Sequence, residues 1–263
     1  MGDIKTLFDV DWEKQKAFVL RRIDSFCYLH TITQFDTIPP LLGIQDQAQK
    51  LAANTMAFLE KKEALHALLW GARGCGKSSL VKATLLPHLH SGNNLRVLEL
   101  DSKDILLLPL VFDTLRLLHA YRFIIFCDDL SFRIGDDSYK SIKSVLEGSL
   151  EARADNILIY ATSNIRRIVE SSDLDSPKDS PIIQEELSFS DRFGLQIGFY
   201  DLGTREYLEC VGHFLGDATM LTSQDLASPH PLRQEALNFA TKMGGRNARI
   251  AKEFVISYQR GLV

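Results

Sequence analysis

Eight residues, Gly71-Ala-Arg-Gly-Cys-Gly-Lys77-Ser78, constrain this chain more than any other stretch of it. They follow an apolar run, Leu65 to Trp70, and lead into a segment of helical spacing from Ser79 to Leu86. A glycine-rich turn between strand and helix lets the backbone take positive φ angles. Successive N–H groups then converge where a Cβ would obstruct them. The helix that follows points its positive end at the same place, so the pattern is a cradle for phosphate. In such a cradle Lys77 reaches the β- and γ-phosphates of a nucleotide, and the Ser78 hydroxyl completes the shell of a magnesium ion. The binding loop expected here comprises Gly71, Ala72, Arg73, Gly74, Cys75, Gly76, Lys77, Ser78 and Ser79. A thiol at a helix N-terminus tends toward a lowered pKa and oxidation, but a small residue is the plainer reading of Cys75.

The 263 residues, 45% hydrophobic and 24% charged, suffice for one large domain or one with a small companion. A net charge of −4 gives no overall basic field, so contact with nucleic acid would need a local patch. The four cysteines, Cys27, Cys75, Cys127 and Cys210, lie far apart without a CxxC pair, which suits a reducing compartment rather than a disulfide framework or a zinc site. No apolar run approaches the roughly 20 residues that span a bilayer, and the charged start does not read as a signal peptide. A cytoplasmic location without membrane insertion is the expectation.

Residues 5–30 carry Leu7, Phe8, Val10, Trp12, Phe18, Val19, Ile23 and Phe26 among charges, a spacing that predicts one or two amphipathic helices. Pro39-Pro40 closes that region, which makes residues 1–40 a helical N-terminal extension. A helix is expected over 45–60. Short apolar runs at 65–70, 96–100, 123–127, 157–161 and 195–200 alternate with helical stretches, as a parallel sheet covered on both faces requires. The fold class that follows is α/β, a five-stranded parallel sheet flanked by helices over residues 41–201. Helices at 204–215, 233–243 and 248–260, with Gly244-Gly245 as a stop, form a small all-helical unit over 202–263. The acidic, Ser/Pro-rich stretch 170–180 reads as a loop.

A second motif, Phe123-Ile-Ile-Phe-Cys-Asp128-Asp129, stands about fifty residues beyond Lys77. An apolar strand ending in paired carboxylates puts them at the sheet edge where ligands bind in open α/β folds. Asp128 is the candidate magnesium ligand, and Asp129 the candidate to orient or deprotonate a water. A third strand, Ile157 to Ala161, ends in Thr162-Ser163-Asn164, and Asn164 could report on a terminal phosphate or simply form a turn.

The order of these motifs resembles the AAA+ family of P-loop ATPases, and more narrowly the bacterial DUF815 group within it, from about Leu42 to the C-terminus. The resemblance rests on Leu-Leu-Trp-Gly-Ala-Arg-Gly-Cys-Gly-Lys-Ser-Ser-Leu, Phe-Cys-Asp-Asp-Leu-Ser-Phe, Val-Leu-Glu-Gly-Ser-Leu-Glu-Ala-Arg, Ile-Tyr-Ala-Thr-Ser-Asn and Leu-Ser-Phe-Ser-Asp-Arg-Phe-Gly-Leu. It implies that residues 71–78 are Walker A, Asp128 and Asp129 Walker B, and Asn164 sensor 1. It further implies that Arg192 is an arginine finger acting on a neighbouring subunit, hence a homo-oligomer. Arg246 takes the place of sensor 2 in the helical lid, with Arg249 as its rival, and Leu42, Gly43 and Ile44 match the segment that meets adenine. Two departures stand out. Walker B ends in Asp-Asp where many members have Asp-Glu, and no aromatic–apolar–Gly pore loop lies between Leu100 and Phe123.

The leading expectation is an ATP- and Mg2+-dependent ATPase that performs conformational work on a macromolecular partner. A nucleotide-switched binding or loader module near nucleic acid is the alternative, with Arg166-Arg167, Arg246 and Arg249 its only basic clusters. A P-loop kinase of small molecules is a further alternative, which fits the cradle and the magnesium site but fits the helical unit and the Ser190-Asp-Arg-Phe193 string less well.

Overall fold

A computed structural model describes residues 8, 10–24, 26–38, 40–130, 132–133, 137–147, 154–164, 169–170, 190–216 and 231–262. In chain order its elements are β1 (Ala17–Ile23), β2 (Phe26–Thr31), α1 (Gln45–Leu59), β3 (Ala67–Gly71), α2 (Lys77–His90) and β4 (Leu95–Leu100). A 3-10 turn (Ser102–Leu107) then leads into α3 (Leu108–Leu115), β5 (Arg122–Cys127), β6 (Phe132–Arg133), α4 (Asp137–Glu147), β7 (Ile157–Ser163) and β8 (Val169–Glu170). The chain continues through β9 (Leu195–Phe199), α5 (Thr204–Leu215), α6 (Pro231–Met243) and α7 (Ala248–Gln259). Pro39, the Arg166-Arg167 pair and residues 171–180 lie outside the described residues.

All five expected strands are present as β3, β4, β5, β7 and β9, and they run parallel in the order β4-β5-β7-β3-β9. Burial on both faces explains why they read as continuous apolar runs. Along β5, Phe123, Ile125 and Cys127 enter one core layer while Ile124 and Phe126 enter the other. Along β7 the same alternation separates Ile157, Ile159 and Ala161 from Leu158 and Tyr160. Helix α2 covers one face with Leu80, Val81, Leu85 and Leu89; α3 covers the other with Leu108, Val111 and Leu115. Full burial of each such side chain contributes about 1.5–3 kcal/mol before the entropy of ordering it is subtracted.

The sheet has seven strands, not five. The described part of the region expected to be helical instead forms the hairpin β1–β2, and β1 pairs in parallel with β4. The deciding period is two: Phe18 and Leu20 are buried in the core layer shared with α3, while Ala17 enters the layer shared with α2. Arg96, only 4% exposed, ties the preceding segment down by donating from Nε to the Trp12 carbonyl at 2.6 Å while its guanidinium lies 4.5 Å over the Tyr121 ring. Helices α5, α6 and α7 share a separate core of Tyr207, Val211, Ala236, Ala240, Ile250 and Phe254. Among the described residues, no helix is long and apolar enough to cross a membrane.

Candidate functional site

The strand order decides where a ligand can sit. β3 lies between β7 and β9, so the path from β3 through α2 to β4 passes over β7 and β5. The crevice at that switch in direction opens at the C-terminal ends of the strands, the place where open α/β sheets bind ligands. There the ends of β3, β5 and β7 assemble the phosphate loop, Asp128 and Asn164 beside one another.

Within the loop Gly71, Gly74 and Gly76 have φ of 138°, 82° and 92°. Gly71 tolerates nothing larger, since a Cβ there would lie 1.9 Å from the Phe199 carbonyl oxygen of β9. Gly76 is the left-handed residue from which α2 starts, so the free N–H groups of the first turn of α2 face the loop. Lys77 is 6% exposed, and its Nζ folds back to donate to the carbonyls of Gly71 at 2.7 Å and Ala72 at 2.8 Å and to Asn164 Oδ1 at 3.1 Å. Burial holds its pKa below the usual lysine value, against the opposing pull of Cys75, Asp129 and Asp128. Asn164 in turn donates from Nδ2 to Asp129 Oδ1, so one side chain links the cation to the second carboxylate.

Asp128 Oδ1 accepts from Ser78 Oγ at 2.6 Å and from Thr162 Oγ1 at 2.5 Å. A serine hydroxyl against a carboxylate is an all-oxygen donor pair, which suits a hard cation whose other ligands come from phosphate and water. Ser78 and Asp128 would hold a magnesium ion there. Among the described residues no group of three or more His, Cys, Asp or Glu is placed to bind a metal without such help.

The helical unit closes the site from the other side. Asn247 caps α7, its Oδ1 accepting from Ile250 N at 3.0 Å, while its Nδ2 donates to the Arg73 carbonyl at 3.3 Å. This seats the N-terminus of α7 on the phosphate loop, and a Cβ on Gly74 would come within 2.9 Å of Asn247 Oδ1. The cavity between the sheet and the helical unit measures about 540 Å³. Residues 73–79, Asp128, Asp129 and Asn164 line it, together with Leu42 and Ile44.

Other expected residues stand elsewhere. Arg249 lines the cavity, whereas Arg246 precedes the cap, donates to Thr204 Oγ1 at 2.7 Å and lines a different hollow. Gly43 stays outside it, and its φ of 72° fits a position where a Cβ would meet Leu202 at 2.7 Å. The carbonyls of Gly71 and Ala72 hold Lys77 without lining the cavity. Arg192 precedes β9 at the opposite edge of the sheet: Leu195 pairs with Ala67, four residues upstream of the Gly71–Phe199 pair, or roughly 13 Å at the usual strand rise. Cys75 is buried, and that burial raises its pKa instead of lowering it. Sequence reasoning missed Thr162, Phe214 and Lys252, all of which line the cavity. Only Lys252 left a signal, three residues after Arg249 on one helix face.

The family model described as "Protein of unknown function (DUF815)" matches residues 13–261. The chain belongs to this family. No curated protein matches it. Among solved structures it is similar to Aeropyrum pernix ORC1 in complex with DNA, at TM-score 0.54 and 13% identity, covering 86% of this chain and 63% of that one. Aeropyrum pernix ORC2 in ADPNP and ADP complexes follows at 0.49 and 14%, over 85% and 70% of the two chains. The Thermotoga maritima RuvB Holliday junction branch migration motor gives 0.43 and 13%, over 84% and 70%. The ORC1 likeness shows a common fold, an α/β sheet carrying a P-loop and flanked by helices. This chain spans less than two thirds of the ORC1 chain.

Proposed function

We propose that this protein binds ATP with Mg2+ between sheet and lid and hydrolyses it, converting the state of the terminal phosphate into lid movement. The observation that carries the reading is the chain Lys77–Asn164–Asp129 beneath a cavity that α7 covers. Phosphate would be held by the N–H groups of residues 74–79 and by Lys77, which would exchange its bonds to Gly71 and Ala72 for phosphate oxygens. When Lys77 leaves Asn164, Asn164 is free to meet the γ-phosphate or its attacking water, and Asp129 is released to orient that water. Magnesium, held by Ser78 and Asp128, would offset charge between the β- and γ-phosphates. Arg73, Lys77, Arg249 and Lys252 outnumber Asp128 and Asp129 around the cavity, an excess of positive charge that favours a polyphosphate. Leu42, Ile44 and Phe214 supply apolar surface for the base.

Arg192 lies beyond the end of the sheet opposite its own cradle, a place that suits an arginine acting on the site of a neighbouring subunit in a homo-oligomer. The partner on which lid movement acts is a macromolecule. ATP turnover by the purified chain, measured across protein concentration and against Lys77→Ala, tests the proposal. Turnover that rises with assembly and is lost in the variant supports it; the absence of both binding and turnover overturns it.

A further inference from the structure

Thr162 holds the three consecutive residues at which β5 leaves the sheet. Its hydroxyl donates to Asp128 Oδ1 at 2.5 Å and accepts from the Asp129 N–H at 2.8 Å, and its carbonyl accepts from the Leu130 N–H at 2.7 Å. The residue is 1% exposed, and these bonds use both the proton and a lone pair of its hydroxyl. The register explains why this residue can do so. Cys127 pairs with Ala161 across β5 and β7, which brings Asp128 opposite Thr162 one step further on. Asp129 there takes φ of 53°, a left-handed turn that an aspartate adopts only when its surroundings hold it.

We propose that Thr162 is a positioning residue for the metal and water chemistry of the site. One hydroxyl orients the Asp128 carboxylate beside Ser78 and fixes the strained turn that presents Asp129 to Asn164. The inference rests on the reading of the cavity as a magnesium-nucleotide site. It differs from a packing role, because the bonds to both aspartates run through the hydroxyl. Groups that orient a metal ligand from behind typically account for 10–100-fold in metal affinity or activity.

The test uses the full chain with Thr162→Val, which keeps the shape and removes the hydroxyl, and Thr162→Ser, which keeps the hydroxyl. Binding of a fluorescent ATP analogue is titrated in EDTA and with rising Mg2+, beside steady-state turnover. Amide exchange at Asp129 and Leu130 is followed in the ligand-free chain. Thr162→Val should bind the analogue in EDTA as the parent does, need 10–100-fold more Mg2+ for half-effect, lower kcat more than it changes KM, and lose protection at the Asp129 amide. Thr162→Ser should restore Mg2+ dependence to within about threefold of the parent, well inside the loss expected of the valine variant. An unchanged Mg2+ dependence in Thr162→Val overturns the positioning role, as does equal impairment of both variants. If the parent chain binds no nucleotide with or without Mg2+, the reading of the cavity fails first. Exchange at Asp129 then shows whether the clamp exists as a purely structural device, which also removes the assigned role.

Discussion

Replacing Gly74 by alanine should loosen the lid more than it disturbs the loop, and the geometry gives the size of the effect. The left-handed φ of 82° costs an alanine about 1–2 kcal/mol, part of it offset by the smaller entropy of the unfolded chain. The new Cβ would also sit 2.9 Å from Asn247 Oδ1 and 3.1 Å from Arg249 Cβ, closer than ordinary contact, so the N-terminus of α7 has to retreat. Retreat weakens the cap on Ile250, worth about 1 kcal/mol, and the bond from Asn247 to the Arg73 carbonyl, worth about 1 kcal/mol. The sum is about 3 kcal/mol. Gly92 provides the control, because its φ is 72° with nothing within 4 Å of an added Cβ, so Gly92→Ala carries the backbone term alone. For a chain of this size each kcal/mol lowers Tm by about 2–4 °C, which places Gly74→Ala roughly 6–12 °C below the parent and Gly92→Ala within about 4 °C of it. Combining Gly74→Ala with Asn247→Ala in a thermal or urea double-mutant cycle should give coupling of 1 kcal/mol or more, since removing Asn247 removes most of the clash. Equal costs for the two glycine variants, or additivity within about 0.5 kcal/mol, would refute the seating of α7 on the loop.

Arg249→Ala should weaken ATP binding roughly 10- to 150-fold, the range for one charge-assisted hydrogen bond of about 1.5–3 kcal/mol, while Arg246→Ala should stay within about twofold. Calorimetric titration checks the pair, and the reverse ranking refutes the placement of the lid arginines. A disulfide-exchange reagent at pH 8 should titrate Cys27 quickly and leave the other three cysteines until the chain unfolds. Burial pushes Cys127 up to about 12 and Cys210 up to about 11, and raises Cys75 as well. A thiol near 11 is ionised to only about one part in a thousand at pH 8. Rapid loss of more than one thiol in the native protein contradicts that burial.

The five central strands were legible because each is covered on both faces and leaves an uninterrupted apolar run. The hairpin β1–β2 was not. Its charges at Arg21, Arg22 and Asp24 break the run, and Val19, Ile23 and Phe26 fall at spacings a helix would also satisfy. The turn between its strands centres on Asp24, which takes φ of 53° without the glycine that normally marks such a turn. Lys77, Ser78, Asp128 and Asn164 could be named because their motifs fix their places at strand ends. Spacing could not separate Arg246 from Arg249, yet Asn247 carries the signal: read as an N-cap, it starts the helix at Ala248 and puts Arg249 in the first turn. Thr162 and Phe214 belong to no motif and become visible only when β7 and the lid stand beside the loop.

The hairpin has a consequence for how the chain is made. β1 leaves the ribosome before β4, its neighbour in the sheet, and the Arg96 that fastens Trp12 follows it by 84 residues. Until β4 is synthesised the nascent hairpin has no sheet to join, and a lone two-stranded ribbon is marginal in water. Ile23 and Phe26, at the end of the hairpin, are still 60% and 56% exposed in the finished fold. Completion of the sheet at this edge is therefore a late, long-range event in folding, and a hairpin synthesised ahead of its partner strand is among the last elements to be secured.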